Sequence, residues 1–309
     1  MSTQPMASVQ QREFRAAGTD LSERRRSGVS HAQIVDLVRP PDAPDVDWGA
    51  NGAARINAFA SVAAIAADPK LAAAYPGLAA AAAELATPQI RHVATIGGNL
   101  AQRSRCWYYR DPQISCLKKG GSVCPAREGN HLYGVAFDLG PCVAPHPSTL
   151  AAALMAYDAT VTTNLRTYLN INHLLGDGSK GSVDHNLEPD EIIESIELGA
   201  PVANERALYR RAISRSRAEW PLVEIVVRAV IAEGTFKLVR IVAGAVAPVP
   251  LRLAAAESAA QGAAVSAAII DKAVAQSTVG AKPLAMTAYK LDLLSGLVRD
   301  LLEKISVPK

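Results

Sequence analysis

The sequence predicts an α+β protein with two small α/β subdomains followed by a C-terminal domain of a three-stranded sheet and helices. Alanine-rich segments in the first half favour helices. Three apolar runs at residues 207–213, 222–232 and 237–247 favour strands, and the helical segments of this part come after all three of them. Strands and helices grouped in this way indicate α+β architecture and not a regular βαβ array.

The first predicted part spans residues 1–44. Residues 16–21 read Ala-Ala-Gly-Thr-Asp-Leu, a composition typical of a tight turn after a short strand. The apolar run at residues 34–38 predicts a buried strand. Three prolines within residues 40–44 make a rigid break, which we take as the first boundary.

The second predicted part spans residues 45–200. It begins with a strand near residues 54–58 and continues into helices at 61–68, capped by Ser61, and 76–85, with Pro76 near its start. Later elements are a helix at residues 147–157 and a strand at 159–163. The glycine-containing connection at 176–181 leads toward the next boundary.

The third predicted part spans residues 201–309 and ends in helices. Its strands are followed by helical segments at 253–261, 264–275 and 287–304. The last segment carries an apolar stripe with helical spacing, which predicts a face packed against the core. The stripe consists of Leu291, Leu294, Leu297, Val298, Leu301 and Leu302.

Length and charge exclude several classes of protein. A chain of 309 residues can bury a substantial core, and 32 basic against 29 acidic residues leave a small positive balance. Basic groups lack the interleaved aromatics of a nucleic-acid interface, so no nucleic-acid partner is expected. Charges interrupt the longest apolar region, residues 60–86, which predicts no membrane span and a soluble protein.

All four cysteines fall in one stretch, which predicts a single four-thiolate metal site. The candidate ligands are Cys106, Cys116, Cys124 and Cys142. An iron–sulfur cluster and a structural zinc ion both use four thiolates, but the spacing matches neither paired zinc knuckles nor compact ferredoxin runs. Four unrelated thiols remain an alternative, as do two disulfides, although the first thirty residues lack the apolar region of a secretory signal.

A paired-glycine segment directly precedes the cysteines. Residues 94–100 read Ala-Thr-Ile-Gly-Gly-Asn-Leu. Gly97 and Gly98 would let the backbone approach a ligand and turn consecutive N–H groups toward an anion, while Thr95 and Asn99 add hydrogen-bonding side chains. The segment is neither a G-x-G-x-x-G fingerprint nor a Walker loop, and an ordinary glycine turn remains open.

Taken together, these segments resemble the FAD-binding medium subunit of molybdenum hydroxylases, the xanthine dehydrogenase and carbon monoxide dehydrogenase family. The family patterns A-[GA]-G-T-[DN]-L, R-I-x-A and Q-I-R-x-x-A-T-I-G-G-N-L occur at residues 16–21, 55–58 and 89–100. The likeness continues through residues 146–148, 187–193, 209–211, 243–248 and the helix from residue 288, and so covers nearly the whole chain.

The resemblance implies an FAD-binding domain of two PCMH-like α/β subdomains and assigns residues to the cofactor. No catalytic residue is expected in this chain. The residues expected around the FAD pyrophosphate are Ala16, Ala17, Gly18, Thr19, Asp20, Leu21, Thr95, Gly97, Gly98 and Asn99. Ile193 and Arg211 are expected near the flavin ring.

A cysteine-bearing insertion directly after T-I-G-G-N-L marks a subgroup of this family. Bacterial aldehyde oxidoreductases and 4-hydroxybenzoyl-CoA reductases form that subgroup, and for this chain it implies a 4Fe–4S cluster held by the four cysteines in a loop at residues 103–145. The chain also departs from the family pattern. Ala17 and Asn57 replace glycines, Thr149 replaces an aspartate, and only a short polar segment precedes Ala16.

The resemblance further implies an electron-transfer subunit of a heterotrimeric molybdenum hydroxylase of the aldehyde oxidoreductase type. The expected partners are a large molybdenum-pterin subunit, a small 2Fe–2S subunit that passes electrons to FAD, and an external electron acceptor. Two alternatives stay open: a 4-hydroxybenzoyl-CoA reductase-like subunit, and a structural or wire subunit that keeps the cluster without FAD. The expected compartment is the cytoplasm, or the periplasm if a partner carries a twin-arginine signal.

Overall fold

The computed structural model describes residues 12–168 and 170–307. The strands in these residues are β1 (Arg12–Arg15), β2 (Gln33–Asp36), β3 (Val46–Trp48), β4 (Ala54–Asn57), β5 (Thr160–Thr163), β6 (Thr167–Tyr168), β7 (Ile193–Leu198), β8 (Glu205–Ala212), β9 (Val223–Ala232), β10 (Thr235–Gly244) and β11 (Leu251–Arg252). The helices are α1 (Leu21–Arg26), α2 (Val62–Ala67), α3 (Pro69–Ala74), α4 (Pro76–Glu84), α5 (Pro88–Val93), α6 (Ile96–Leu100), α7 (Trp107–Arg110), α8 (Thr149–Ala156), α9 (Ile171–Leu175), α10 (Ala254–Ala260), α11 (Ala267–Gln276) and α12 (Tyr289–Ser306). This element content confirms the predicted α+β class.

The first sheet pairs β1 with β2 in parallel, and α1 connects the two strands. The turn before α1 needs Gly18, which has a φ of +72°. β2 is shorter and less buried than the sequence predicts, since it ends at Asp36 and Val38 is 83% exposed. The expectation of a buried strand at residues 34–38 was therefore wrong. This sheet has two strands in the described residues, and they bury only part of each side chain.

The central sheet has the order β3-β4-β7-β5-β6 in the described part of the chain, and all its pairings are antiparallel. The sequence indicated β4 and β5 but missed β7, which lies between them. The alanine-rich helices α2 and α4 contribute side chains to the core on this sheet. Helix α8 is buried along its whole length, as expected for a helix that is apolar all round.

The C-terminal sheet has the order β11-β10-β9-β8. The sequence predicted three strands here. A fourth, β11, is only two residues long and pairs antiparallel with β10, so within residues 12–168 and 170–307 this sheet has four. Helices α10, α11 and α12 contribute side chains to the second core, and α12 buries most of the predicted apolar stripe.

The paired-glycine segment is helical in the structure. Thr95 is the N-cap of α6, and its hydroxyl oxygen accepts a hydrogen bond from Gly98 N at 3.1 Å. Sequence reasoning treated the segment as a loop because two adjacent glycines lower helix propensity. The N-cap and the packing of α6 outweigh that cost.

Candidate functional site

The cysteine loop, residues 103–145, lies between the central sheet and the C-terminal domain. Cys116 and Cys142 are buried, whereas Cys106 and Cys124 are partly exposed. The loop is fixed by contacts of its own. Arg127 makes a bidentate ion pair with Asp138, at 2.9 and 2.7 Å, and donates to Pro141 O at 2.9 Å. The cysteine-bearing segments are therefore positioned by the protein itself.

The four thiols lie in one neighbourhood. Cys124 and Cys142 share a hydrogen bond, which lowers the pKa of Cys124 and raises that of Cys142. Burial raises the pKa of Cys106, and the neighbouring thiols Cys124 and Cys116 raise it further. No three His, Cys, Asp or Glu side chains in residues 12–168 and 170–307 are close enough to ligate one metal ion directly. The four thiols therefore lie near one another, but no three of them are close enough to ligate a single ion.

Backbone amides point at the cysteine sulfurs. The N–H groups of Tyr108 and Tyr109 donate to Cys106, and three further N–H groups donate to Cys124. Such bonds stabilise the thiolate form over the thiol. These bonds help to lower the pKa of Cys124, whereas burial outweighs them at Cys106.

Asp20, one of the predicted FAD residues, is tied to the cysteine loop by arginines. Its Oδ1 accepts from Arg110 at 2.6 Å and lies 3.0 Å from Arg105 Nη2, while Oδ2 accepts from Arg103 N at 3.1 Å. Burial opposes ionisation of Asp20, but Arg105 and Arg110 outweigh it and lower its pKa. This carboxylate joins the turn at residues 16–21 to the start of the loop.

A cavity of about 330 Å³ lies above this junction, and we call it the nucleotide cavity. Five of the predicted FAD residues line it: Thr19, Asp20, Gly98, Asn99 and Arg211. Thr149 also lines it. The remaining predicted residues lie outside the lining; they are Ala16, Ala17, Gly18, Leu21, Thr95, Gly97 and Ile193. The structure thus brings part of the predicted set to one concave surface.

The paired glycines have different environments. Gly97 N donates to Ala58 O at 2.9 Å, and a Cβ on Gly97 would lie 2.9 Å from Ala58 Cβ. Gly98 N donates to the Thr95 hydroxyl. Both amides donate within the chain here and do not turn toward an anion. A side chain at Gly97 would collide with Ala58, so glycine is required there. Gly98 lines the nucleotide cavity and, without a side chain, takes up no space in it.

Arg211 and Ile193 occupy contrasting positions. Ile193 is buried at the start of β7. Arg211 lies on β8 with its side chain 5% exposed, and it donates to the carbonyls of Glu219, at 3.4 Å, and Arg217. These contacts fix the guanidinium beside the nucleotide cavity. The assignment of both residues to the flavin ring stays a prediction.

A second cavity, of about 360 Å³, lies between the cysteine loop and the C-terminal domain; we call it the aromatic cavity. Sequence reasoning missed it and two of its buried ionisable groups, Glu224 and Lys290. Glu224 Oε2 accepts from Tyr209 Oη at 2.7 Å and from Thr149 Oγ1 at 2.8 Å, and burial raises its pKa. A charged residue inside an apolar strand, as at Glu224, was the available signal.

Comparison with known proteins agrees with this arrangement. Residues 4–201 match the family described as FAD binding domain in molybdopterin dehydrogenase, and residues 208–305 match the CO dehydrogenase flavoprotein C-terminal domain. The chain belongs to the FAD-binding subunits of the molybdopterin dehydrogenases. This is an oxidoreductase family, and the resemblance expected from the sequence is confirmed at this level.

A curated relative and several solved structures extend the comparison. The aldehyde oxidoreductase FAD-binding subunit PaoB of Escherichia coli (strain K12) is 32% identical over 253 residues, which cover 79% of this chain and 78% of that protein. A carbon monoxide dehydrogenase from Hydrogenophaga pseudoflava superposes with a TM-score of 0.73 at 20% identity, over 95% of this chain and 88% of that one. Quinoline 2-oxidoreductase from Pseudomonas putida 86 superposes with a TM-score of 0.73 at 16% identity, over 97% of this chain and 91% of that one. These structural likenesses show the fold.

In this FAD-binding subunit, the nucleotide cavity and the aromatic cavity share part of their lining. None of its described helices is long and apolar enough to cross a membrane.

Proposed function

We propose that this chain is the FAD- and 4Fe–4S-binding electron-transfer subunit of a molybdenum hydroxylase that oxidises aldehydes. Electrons would pass from 2Fe–2S clusters of a small partner subunit to FAD in this chain and then to an external acceptor, while a large subunit holds the molybdenum pterin. The observation that carries the proposal is the direct link between the nucleotide cavity and the cysteine loop through Asp20, Arg105 and Arg110. The 32% identity with an aldehyde oxidoreductase subunit supports the substrate class.

The nucleotide cavity fits a dinucleotide in chemistry. Gly98 leaves its wall open, Thr19 and Asn99 provide polar side chains, and Arg26 and Arg211 supply positive charge for phosphate oxygens. Bound FAD would supply both one-electron and two-electron transfer. The protein's part is to position the cofactor and exclude water from it.

The cysteine loop supplies the thiolates that a 4Fe–4S cluster requires. Such a cluster takes one cysteine on each of its four irons, and the loop brings four cysteines into one neighbourhood. Amide N–H groups at Cys106 and Cys124 are the type of hydrogen bond that tunes cluster potentials. A 4Fe–4S cluster bound here would supply one-electron transfer.

Residues around the two sites hold the geometry. The Arg105 guanidinium stacks over Trp220, 4.5 Å from the ring centroid, and both residues line the nucleotide cavity. Lys118 and Arg103 form ion pairs at 2.8 Å with Asp184. Burial alone would raise the pKa of Asp184, but the two cations outweigh it and lower the pKa to about 2. These buried charges fix the loop where the cofactors would meet.

The test compares metal and flavin content in the purified complex. Cys116→Ser should remove about four irons per complex while flavin absorbance is retained. Ser115→Ala is the matched control and should leave both unchanged. Equal iron in the wild type and Cys116→Ser, or zinc in place of iron, would contradict the cluster. A complex that turns over without flavin bands would contradict FAD and favour the wire subunit.

The cell compartment follows from the assembly in this proposal. We place the complex in the cytoplasm unless a partner subunit carries an export signal. Fractionation of cells that express all subunits, with the iron-containing complex detected by absorbance, would test this placement.

A further inference from the structure

The aromatic cavity is distinct from the nucleotide cavity in its main lining. Its volume of about 360 Å³ falls in the range of small-molecule sites. Its walls combine rings with buried polar groups: Trp107, Tyr108, Tyr133, Trp220, His146 and Lys290. Trp107 and Tyr133 form an edge-to-face pair with ring centroids 5.4 Å apart. A flat aromatic ligand suits such walls.

Lys290, near the start of α12, is a buried cation without a carboxylate. Lys290 is 1% exposed, and its Nζ donates to Ala245 O at 2.8 Å and Tyr133 O at 3.4 Å. No described residue forms an ion pair with it at 4.0 Å or less. An ammonium has three donors, so one has no acceptor in the described structure. Without a counter-charge, burial lowers the pKa of Lys290 to about 7, so an anion bound beside it would favour the charged form.

His146 adds a second donor to the same lining. Ser148 N donates to His146 Nδ1 at 3.2 Å, so Nδ1 carries no proton. Burial lowers the pKa of the imidazole to about 4, which leaves it neutral at pH 7 with its proton on Nε2. That Nε2–H finds no acceptor among the described residues. The charged groups that act on this imidazole are Asp184, His185 and Lys118, so its Nε2–H is not assigned to the same oxygen as Lys290.

The one carboxylate in the buried part of the lining does not fill this need. Glu224 is engaged by Tyr209 and Thr149 through the same oxygen, Oε2. Glu219, toward the surface, accepts from Arg215 N at 3.1 Å. Neither acid forms an ion pair with Lys290, so the positive donor side of the cavity remains uncompensated by the described chain.

We propose that the aromatic cavity binds a small aromatic carboxylate, with its ring against Trp107 and Tyr133 and its carboxylate toward Lys290. The inference goes beyond the proposed function because the ligand is neither FAD nor the cluster, although Cys106, a proposed cluster ligand, also lines this cavity. Binding requires both features of the ligand: the ring fills the apolar walls, and the carboxylate supplies the anion that Lys290 lacks.

The test is calorimetric titration of benzoate into the purified, flavin-loaded protein. Lys290→Gln should weaken binding by about tenfold or more, since it removes a charge-assisted hydrogen bond. Trp107→Ala should weaken it several-fold through lost ring contact. Lys272→Gln, at an exposed site on α11, is the matched control and should bind like the wild type.

Four results would overturn the proposal. Three of them are no benzoate binding to the flavin-loaded protein, equal affinity for benzoate and neutral benzamide, and unchanged affinity in both the Lys290→Gln and Trp107→Ala proteins. Binding only after flavin is stripped would assign the cavity to the flavin and also overturn it. If Lys290→Gln fails to fold by circular dichroism, Trp107→Ala carries the test, because Trp107 is 58% exposed and its loss leaves no cavity in the core. Flavin and iron content, measured separately, report on the proposed function.

Discussion

Arg110 Nη2 donates to Asp20 Oδ1 across 2.6 Å, and this contact joins the cysteine loop to the turn that follows β1. Asp20 also pairs with Arg105 and with Arg24, so one carboxylate organises three guanidinium groups. Since the Asp20 side chain is only 12% exposed, these pairs are poorly screened by solvent. The predicted flavin segment and the cysteine-bearing insertion are therefore one electrostatic unit.

We expect Asp20→Asn to lower the free energy of unfolding by about 2–3 kcal/mol, because it removes a largely buried carboxylate shared by three arginines and leaves them with Glu13 and Glu23 as partners. Urea unfolding followed by fluorescence would measure the change. Asp36→Asn is the matched control: Asp36 pairs with Arg15 at the surface, and its loss should have no measurable effect. Equal effects of the two changes would show that Asp20 has no special role.

Thr149 stands where the resemblance to the family predicts an aspartate, and the structure gives a reason for threonine. Its hydroxyl donates to Glu224 Oε2 at 2.8 Å in a buried site. A carboxylate at position 149 would face Glu224 instead of donating to it. Thr149→Asp should therefore destabilise the protein by about 2–3 kcal/mol.

A double-mutant cycle separates this repulsion from a steric effect. Glu224→Gln keeps the shape and removes the opposing charge, so the double variant Thr149→Asp/Glu224→Gln should recover about 1–2 kcal/mol as coupling energy. Urea unfolding of the wild type, the two single variants and the double variant measures this coupling energy. Additive changes would mean that charge repulsion does not explain threonine at this position.

Periodicity and caps made much of the fold predictable. Ser61, Pro76 and the stripe of α12 mark helices that the structure contains. What could not be predicted depends on tertiary contacts. β7 begins after a polar connection, and no local pattern shows that it pairs between β4 and β5. The exposure of Val38 likewise reflects a sheet with too little to pack against it.

The candidate site was predictable in composition but not in detail. Four clustered cysteines and a glycine pair are visible in any reading of the sequence. The partners of Asp20 and the position of Lys290 require the fold, because their contacts join residues far apart in the chain. The proposed subdivision into residues 1–44, 45–200 and 201–309 stays a prediction, as do the residue assignments to FAD and the cluster.

Gly97 gives a prediction about backbone packing. A methyl group there would lie 2.9 Å from Ala58 Cβ and 3.1 Å from Ala58 O, so α6 would have to move from the segment that follows β4. Gly97→Ala should destabilise the protein by about 1–3 kcal/mol through overpacking. Gly296→Ala on the exposed face of α12 meets nothing within 4 Å and should stabilise by about 0.5–1 kcal/mol. Thermal unfolding of both variants tests the contrast, and a harmless Gly97→Ala would contradict it.

Lys290 predicts how stability depends on pH. Burial lowers its pKa from 10.5 to about 7 in the folded protein. Between these values the unfolded chain binds a proton that the folded chain does not, so the free energy of unfolding contributed by this group rises with pH. The slope from pH 7 to 9 should approach about 1.4 kcal/mol per pH unit.

Urea unfolding of the wild type and Lys290→Met at pH 7 and pH 9 measures that slope. The variant lacks the titrating group, so its stability should change less over this range. It also loses the donors to Ala245 O and Tyr133 O, which sets a pH-independent cost of about 1–2 kcal/mol. Lys272→Met, at an exposed site, should keep the wild-type slope. Parallel pH profiles for the wild type and Lys290→Met would show that Lys290 keeps an ordinary pKa in the folded state.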